Sequence, residues 1–233
     1  MDYVFYVLIA LIGYFLGALP FGYLVAKAHG VDIFKVGSGN PGATNVRRVL
    51  GSRAGNLVFA LDFLKGSAAA ALPLLIAYAS AHILTPPPSL PADEVGYFHE
   101  EAMDTAKNEA LFAVLGAVLG HSFSLFTHFK GGKGVATAAG GLVVLMPVPC
   151  GIGIAVFFAA YFTTRYVSLG SILAAVAVPV ASWLFGNPLP LKLVATGVGL
   201  FVIVRHRANI KRLLTGTENK FSKKEPPAGS GRA

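Results

Sequence analysis

The chain reads as an all-α protein, a polytopic helix bundle embedded in a membrane. Two features of composition and one of patterning predict this. Of its 233 residues, 55% are hydrophobic and only 13% are charged. A soluble domain needs about twice that charged share to cover its surface. The mean hydropathy is +0.65, and the apolar residues gather into long runs, as they do when lipid is the solvent. The formal net charge of +8 could suit nucleic acid, but the lysines and arginines lie in short loops between apolar runs and in the C-terminal tail. That distribution is one of membrane orientation and of anionic substrates at a membrane surface, so nucleic-acid binding is excluded. The single cysteine, Cys150, lies in an apolar stretch and reads as a small buried hydrophobe.

Seven apolar stretches follow in order: Val4–Ala26, Gly66–Leu84, Ala110–Phe126, Val135–Val148, Gly151–Thr163, Ser168–Phe185 and Leu191–Val204. The first is too long for a signal-peptide core and ends in Lys27 rather than a cleavage site, so it is expected to remain as a helix. Several fall short of the roughly 20 residues a full span needs, as half-length helices do around buried sites. Pro147-Val148-Pro149 and Gly151 leave the fourth and fifth open to a five-span reading. About seven short transmembrane helices are therefore expected.

Placing the N-terminus outside puts residues 27–54, 127–134, 164–167 and everything after Val204 on the cytoplasmic side. These hold Lys27, Lys35, Arg47, Arg48, Arg53, Lys130, Lys133, Arg165 and eight basic residues from Arg205 to Arg232. The other side keeps only Lys107 and Lys192, and its loop 85–109 is acidic. The positive-inside rule thus gives N-terminus out and C-terminus in. Gly13/Gly17 and Gly116/Gly120 are small-xxx-small pairs that bring helix backbones together, within the bundle in preference to across a dimer. Residues 1–218 are expected to form one transmembrane domain and 219–233, Pro/Gly/Ser-rich from Glu225, a disordered tail. Oligomeric state is left open.

Four polar clusters punctuate the cytoplasmic side. The first runs Gly37-Ser38-Gly39-Asn40-Pro41-Gly42-Ala43-Thr44-Asn45-Val46-Arg47-Arg48. Its glycines allow a tight backbone around an oxyanion. Asn40 as N-cap and Pro41 at the first helical position predict a short helix from Pro41 to Leu50, ended by Gly51. The helix N-terminus, the hydroxyls of Ser38 and Thr44 and the Arg48 guanidinium together make a phosphate site. Gly37-x-Gly39-x-x-Gly42 also fits the dinucleotide fingerprint, but a transmembrane helix precedes it where a strand is required.

The second cluster is Gly120-His121-Ser122-Phe123 with Lys130-Gly131-Gly132-Lys133-Gly134. Two lysines on flexible backbone again suit a phosphate, without the Gly-Lys-Ser/Thr ending of a nucleotide-binding loop. His121 is an ionisable group inside an apolar span and so a candidate for chemistry. The third, Asp62-x-x-Lys65-Gly66, puts both charges on one helix face, as a structural ion pair or a substrate contact. The fourth, Arg205-His206-x-x-Asn209, adds directional hydrogen bonding that a lipid-anchoring basic stretch does not need. These clusters disfavour a non-catalytic scaffold, and their crowding on one side, with no internal repeat, disfavours a phosphate-ester transporter.

In this order the clusters resemble those of the bacterial membrane acyl-phosphate:glycerol-3-phosphate acyltransferases, the PlsY family, from Val4 to about Glu218. The resemblance implies transfer of a fatty acyl group from acyl-phosphate to the 1-hydroxyl of glycerol 3-phosphate, giving lysophosphatidic acid and inorganic phosphate, the first step of phospholipid synthesis. It implies no metal or cofactor, and an inner-membrane enzyme whose active site faces the cytoplasm, with the acyl tail in a groove open to the bilayer. His121, Ser38 and Lys133 are the expected catalytic residues. Gly39, Asn40, Gly42, Thr44, Asn45, Arg48, Lys65, Lys130, Gly131 and Gly132 are expected to bind the two phosphates, and His206 and Asn209 the acceptor. The proton goes either to His121 or to a substrate phosphate oxygen. His99 and Asp104 match the His-x4-Asp dyad of another acyltransferase class, but lie in the acidic external loop, away from the basic clusters.

Overall fold

A computed structural model describes residues 3–83 and 92–221. The described residues form ten α-helices: α1 Tyr3–Ala18, α2 Phe21–Ala28, α3 Ala43–Leu50, α4 Ser52–Ile83, α5 Ala92–Ser122, α6 Val135–Leu145, α7 Pro147–Thr164, α8 Val167–Leu184, α9 Leu189–Arg205 and α10 Arg207–Leu214. No strand occurs among them. Five stretches are long and apolar enough to cross a membrane, and α9 with α10, bent by 58°, makes a sixth. The expected span Val135–Val148 is instead the 11-residue α6, about 16 Å long against a hydrocarbon core of about 30 Å.

Other boundaries differ for physical reasons. The first span breaks at Leu19-Pro20, because proline has no N–H for the preceding turn. α4 begins at Ser52, not Gly66: its buried Asp62 and Lys65 interrupt the apolar run without interrupting the helix. From Ala92 onward the expected acidic loop is the first half of α5, whose Glu, Ala and Met are good helix formers. Residues 85–91 of that loop lie outside the described residues, as does the expected tail 219–233 from residue 222 onward, while Asn219 and Phe221 are placed against the bundle.

α5 is the central helix, packing on α1, α4, α6 and α9. Against α1 the approach is so close that a Cβ on Gly13 or Gly17 would run into the carbonyl of Ala113 or Ala117. On the facing helix, a Cβ on Gly116 or Gly120 would meet that of Ala10 or Tyr14. Both glycine pairs therefore serve packing within the bundle. Tyr14 ties the seam by donating to the carbonyl of Phe123 at 2.7 Å. Outside, large apolar side chains such as Val4, Val7, Phe15, Leu75 and Leu184 are exposed, as lipid-facing residues are.

The chain brings its basic segments to one end. Arg47 lies over the ring of Phe221, the Phe221 N–H donates to the Arg165 carbonyl, and Lys133 donates to Asn209.

Candidate functional site

At that end one cavity is lined by the loop before α3, by α3, α4, the end of α5, the glycine loop before α6, α7, α8, α10 and the segment after it. Its first wall is the loop 37–42. Gly37 and Gly39 take the left-handed conformation, at φ 59° and 67°, which their lack of a Cβ permits. Asn40 does not cap the helix. Its Oδ1 accepts from the N–H of Gly42 at 2.9 Å, an Asx turn that holds Pro41 outside the helix. The helix starts two residues late, at Ala43 with Gly42 as N-cap, and ends as expected at Gly51. Asn45 is buried and committed to the loop: its Oδ1 accepts from the Ser38 N–H at 2.8 Å and its Nδ2 donates to the Val36 carbonyl at 3.1 Å. Asn45 thus shapes this loop into a cradle, leaving the helix N-terminus, Ser38, Thr44 and Arg48 to face the cavity.

The second wall carries Lys133. Its Nζ donates to Asn209 Oδ1 at 2.6 Å, and Asn209 Nδ2 donates to Glu218 Oε1 at 2.8 Å. Glu218 also accepts from Ser168 Oγ at 2.8 Å and Arg212 Nε at 2.6 Å. Burial acts to raise the Glu218 carboxyl, but the bonds from Asn209, Ser168 and Arg212 outweigh it and hold it below the usual range. Burial pushes Lys133 down to about 8, against the attraction of Glu218 and helped by Arg212, Arg205 and Arg48. A lysine with that value is still mostly charged at neutral pH. His206, buried, donates Nδ1–H to the Val202 carbonyl at 2.8 Å and offers its other nitrogen to the cavity.

His121 forms the floor. Its Nδ1 lies 3.4 Å from Asp62 Oδ1, which also takes Lys65 Nζ at 2.8 Å. Lys65 continues to the Leu19 carbonyl at 3.0 Å, where α1 gives way to α2. The pair is 4% exposed on each side chain, so each charge depends on the other. Behind His121, the Gly132 N–H donates to the His121 carbonyl at 3.1 Å, and a Cβ on Gly132 would collide with Nε2. Arg205 fastens this loop by donating to the carbonyls of Gly131 and Gly132 at 3.2 and 2.8 Å.

Ser38, Asn40, Gly42, Thr44, Asn45, Arg48, His121, Lys133, His206 and Asn209 therefore meet at one cavity. Gly39, Lys65, Lys130, Gly131 and Gly132 do not line it. Gly39 turns the cradle, Lys65 pairs with Asp62, and the two glycines back His121. Lys130 is exposed; it edges a small pocket shared with Asp62, Lys65, His121 and the two glycines, and the basic groove beyond it. His99 and Asp104 lie in the first half of α5, remote in the chain from this centre, and Asp104 pairs with Lys107.

Sequence reasoning missed Glu218, Arg212 and Ser168. One signal was available: Glu218 is the first acidic residue after Glu109, set just beyond a basic helix. The remaining wall is apolar, with Phe59, Val135, Phe157, Val167 and Phe221. α4 packs on α1, α2, α3, α5 and α6, and α7 on α6 and α8; Phe59 of α4 and Phe157 of α7 both line the cavity.

A polar centre of cationic groups beside an apolar wall, at one end of a membrane bundle, is a place for an amphiphilic anion. The family model described as glycerol-3-phosphate acyltransferase matches residues 7–216. The chain belongs to the glycerol-3-phosphate acyltransferase family. A glycerol-3-phosphate acyltransferase of Salinibacter ruber is 44% identical, over 95% of this chain and 94% of its own. That of Aquifex aeolicus is 39% identical, over 91% and 97%. Among solved structures, PlsY (YgiH), an integral membrane glycerol 3-phosphate acyltransferase, is similar in its glycerol 3-phosphate form, with TM-score 0.77, 37% identity and coverage of 93% and 96%. Its lysophosphatidic acid form gives TM-score 0.73 at 35% identity, covering 93% and 95%. This is a PlsY-family integral membrane acyltransferase.

Proposed function

We propose that this acyltransferase takes its acyl group from an acyl-phosphate and passes it to the 1-hydroxyl of glycerol 3-phosphate. The hydroxyl oxygen attacks the acyl carbon, the bond from that carbon to the phosphate oxygen breaks, and lysophosphatidic acid and inorganic phosphate result. The observation that carries this reading is the meeting of two cationic anchors, Arg48 in the last turn of α3 and Lys133 on the glycine loop, in one cavity with an apolar wall. Two phosphorylated substrates, one with a long tail, need those three surfaces together.

The cradle of Ser38, Thr44, the α3 N-terminus and Arg48, and the Lys133–Asn209–Glu218 chain, divide the two phosphates between them. His206 and Asn209 orient the acceptor. The acyl tail leaves the centre between Phe59 of α4 and Phe157 of α7, towards lipid. With the Nδ1 proton of His121 directed at Asp62, Nε2 carries a lone pair, as a general base requires. A leaving phosphate oxygen competes for the same proton. The positive-inside distribution supports a bacterial inner membrane with this end in the cytoplasm.

The test is phosphate release by purified protein in lipid, given palmitoyl-phosphate with and without glycerol 3-phosphate. Acceptor-dependent release with an equal amount of lysophosphatidic acid is expected. Acyl transfer from a thioester donor alone would refute the acyl-phosphate assignment.

A further inference from the structure

Away from the catalytic cavity, two depressions follow one seam. The upper is an apolar groove between α1 and α5, lined among others by Tyr6, Leu11, Tyr14, Phe112 and Leu119. The lower is a basic groove between α2 with the loop after it and the turn that follows α5, lined by Tyr23, Lys27, Lys35, Phe126 and Lys130. The same two chain segments wall both grooves in sequence order: Tyr14 leads to Tyr23 and Lys27 on one side, Leu119 to Phe126 and Lys130 on the other. Neither groove shares a lining residue with the catalytic cavity, although Thr127 and Lys130 of the basic groove also edge the small pocket that His121 lines.

Charge and exposure on this seam are arranged as a lipid is. Lys27, Lys35 and Lys130 converge with His128, against a single carboxylate, Asp32, which pairs with Lys35 at 3.2 Å. Lys27 rests over the Tyr23 ring, 5.6 Å from its centre. Beside the lysines, Leu125, Phe126 and Phe129 are 49%, 54% and 60% exposed, an apolar belt that water alone would not favour. His128 and Phe129 both adopt the left-handed conformation, at φ 52° and 60°, a strained turn that keeps this belt on the surface. A free anion needs only the lysines. The apolar groove farther along the same two chain segments fits an acyl chain attached to that anion.

We propose that the α1/α5 seam is a binding site for an anionic phospholipid, its headgroup on Lys27, Lys35 and Lys130 and one acyl chain in the groove above. Lys130 thereby acquires a role that the catalytic cavity does not give it. The site is independent of which donor the catalytic centre uses.

The experiment uses the full-length protein in nanodiscs of phosphatidylcholine with rising phosphatidylglycerol, and native mass spectrometry to count retained lipid. The wild type is expected to retain phosphatidylglycerol over phosphatidylcholine. The Lys27→Gln/Lys35→Gln variant should weaken that preference roughly tenfold or more, each lysine near a membrane surface contributing about fivefold. Lys192→Gln, at the opposite end, should leave it unchanged. Melting in pure phosphatidylcholine verifies that both variants are folded. Equal retention of the two lipids by the wild type, or equal phosphatidylglycerol retention by wild type and double variant, would overturn the proposal. So would a double variant whose acyl-donor KM rises while phosphatidylglycerol retention stays constant, since the seam would then load substrate.

Discussion

Glu218→Gln removes one charge while keeping nearly the same shape, so its effect on Lys133 can be worked from the structure. The two groups are joined through Asn209, with bonds of 2.6 and 2.8 Å on either side of the amide. At roughly 7 Å and an effective dielectric of about 20, their attraction is about 2 kcal/mol, equivalent to somewhat over one pH unit in the titration of Lys133. In the wild type burial has already pushed Lys133 down to about 8. A lysine holds phosphate only when protonated, below its pKa, so kcat/KM for glycerol 3-phosphate should fall as pH rises through about 8. In Glu218→Gln that limb should move to about 6.5, and the kcat limb should lie above the kcat/KM limb because bound phosphate favours the charged amine. The assay is steady-state phosphate release in lipid nanodiscs from about pH 6 to 10, with Lys133→Arg as the control that should lose the limb. An unmoved limb in Glu218→Gln, or an intact one in Lys133→Arg, would refute the coupling.

Three further substitutions probe the floor, the cradle and the bundle. Gly132→Ala places a methyl against His121 Nε2, and should lower kcat about a hundredfold with little change in melting temperature, as a misplacement of about 1 Å does. Asn45→Ala leaves the Ser38 N–H and the Val36 carbonyl without their side-chain partner; a loss of about 1–3 kcal/mol should appear mainly as a raised acyl-donor KM, larger than that of Ser38→Ala. Gly116→Val drives a side chain into the Ala10 carbonyl and should cost about 1–3 kcal/mol in unfolding assays, with the substrate KM values of the folded fraction unchanged.

The polar centre was largely legible because glycine next to lysine or arginine is rare in apolar sequence, and each such cluster at the basic end either lines the cavity or backs it. What hid was of two kinds. Asp62 and Lys65 sit inside a 32-residue helix, and a hydropathy window reads two buried charges as a helix boundary, whereas their pairing makes them internal. Asn45 looks like a substrate contact from its spacing, yet both halves of its amide are spent on backbone. Arg212, Glu218 and Phe221 could not be placed from pattern alone, because what they do depends on the chain folding back across α8 and α3 after α10.

That return has a consequence for synthesis. Helices α1 to α9 are complete by Arg205, but the carboxylate gathering Ser168, Asn209 and Arg212 arrives only at Glu218. A chain interrupted between those two points should insert and pack α1 to α9 in the ordinary way while lacking the counter-charge behind Lys133. Translation therefore delivers the bundle first and its competence last, so a premature stop in this short stretch would give an inserted but inert protein, invisible to any assay that scores membrane insertion alone.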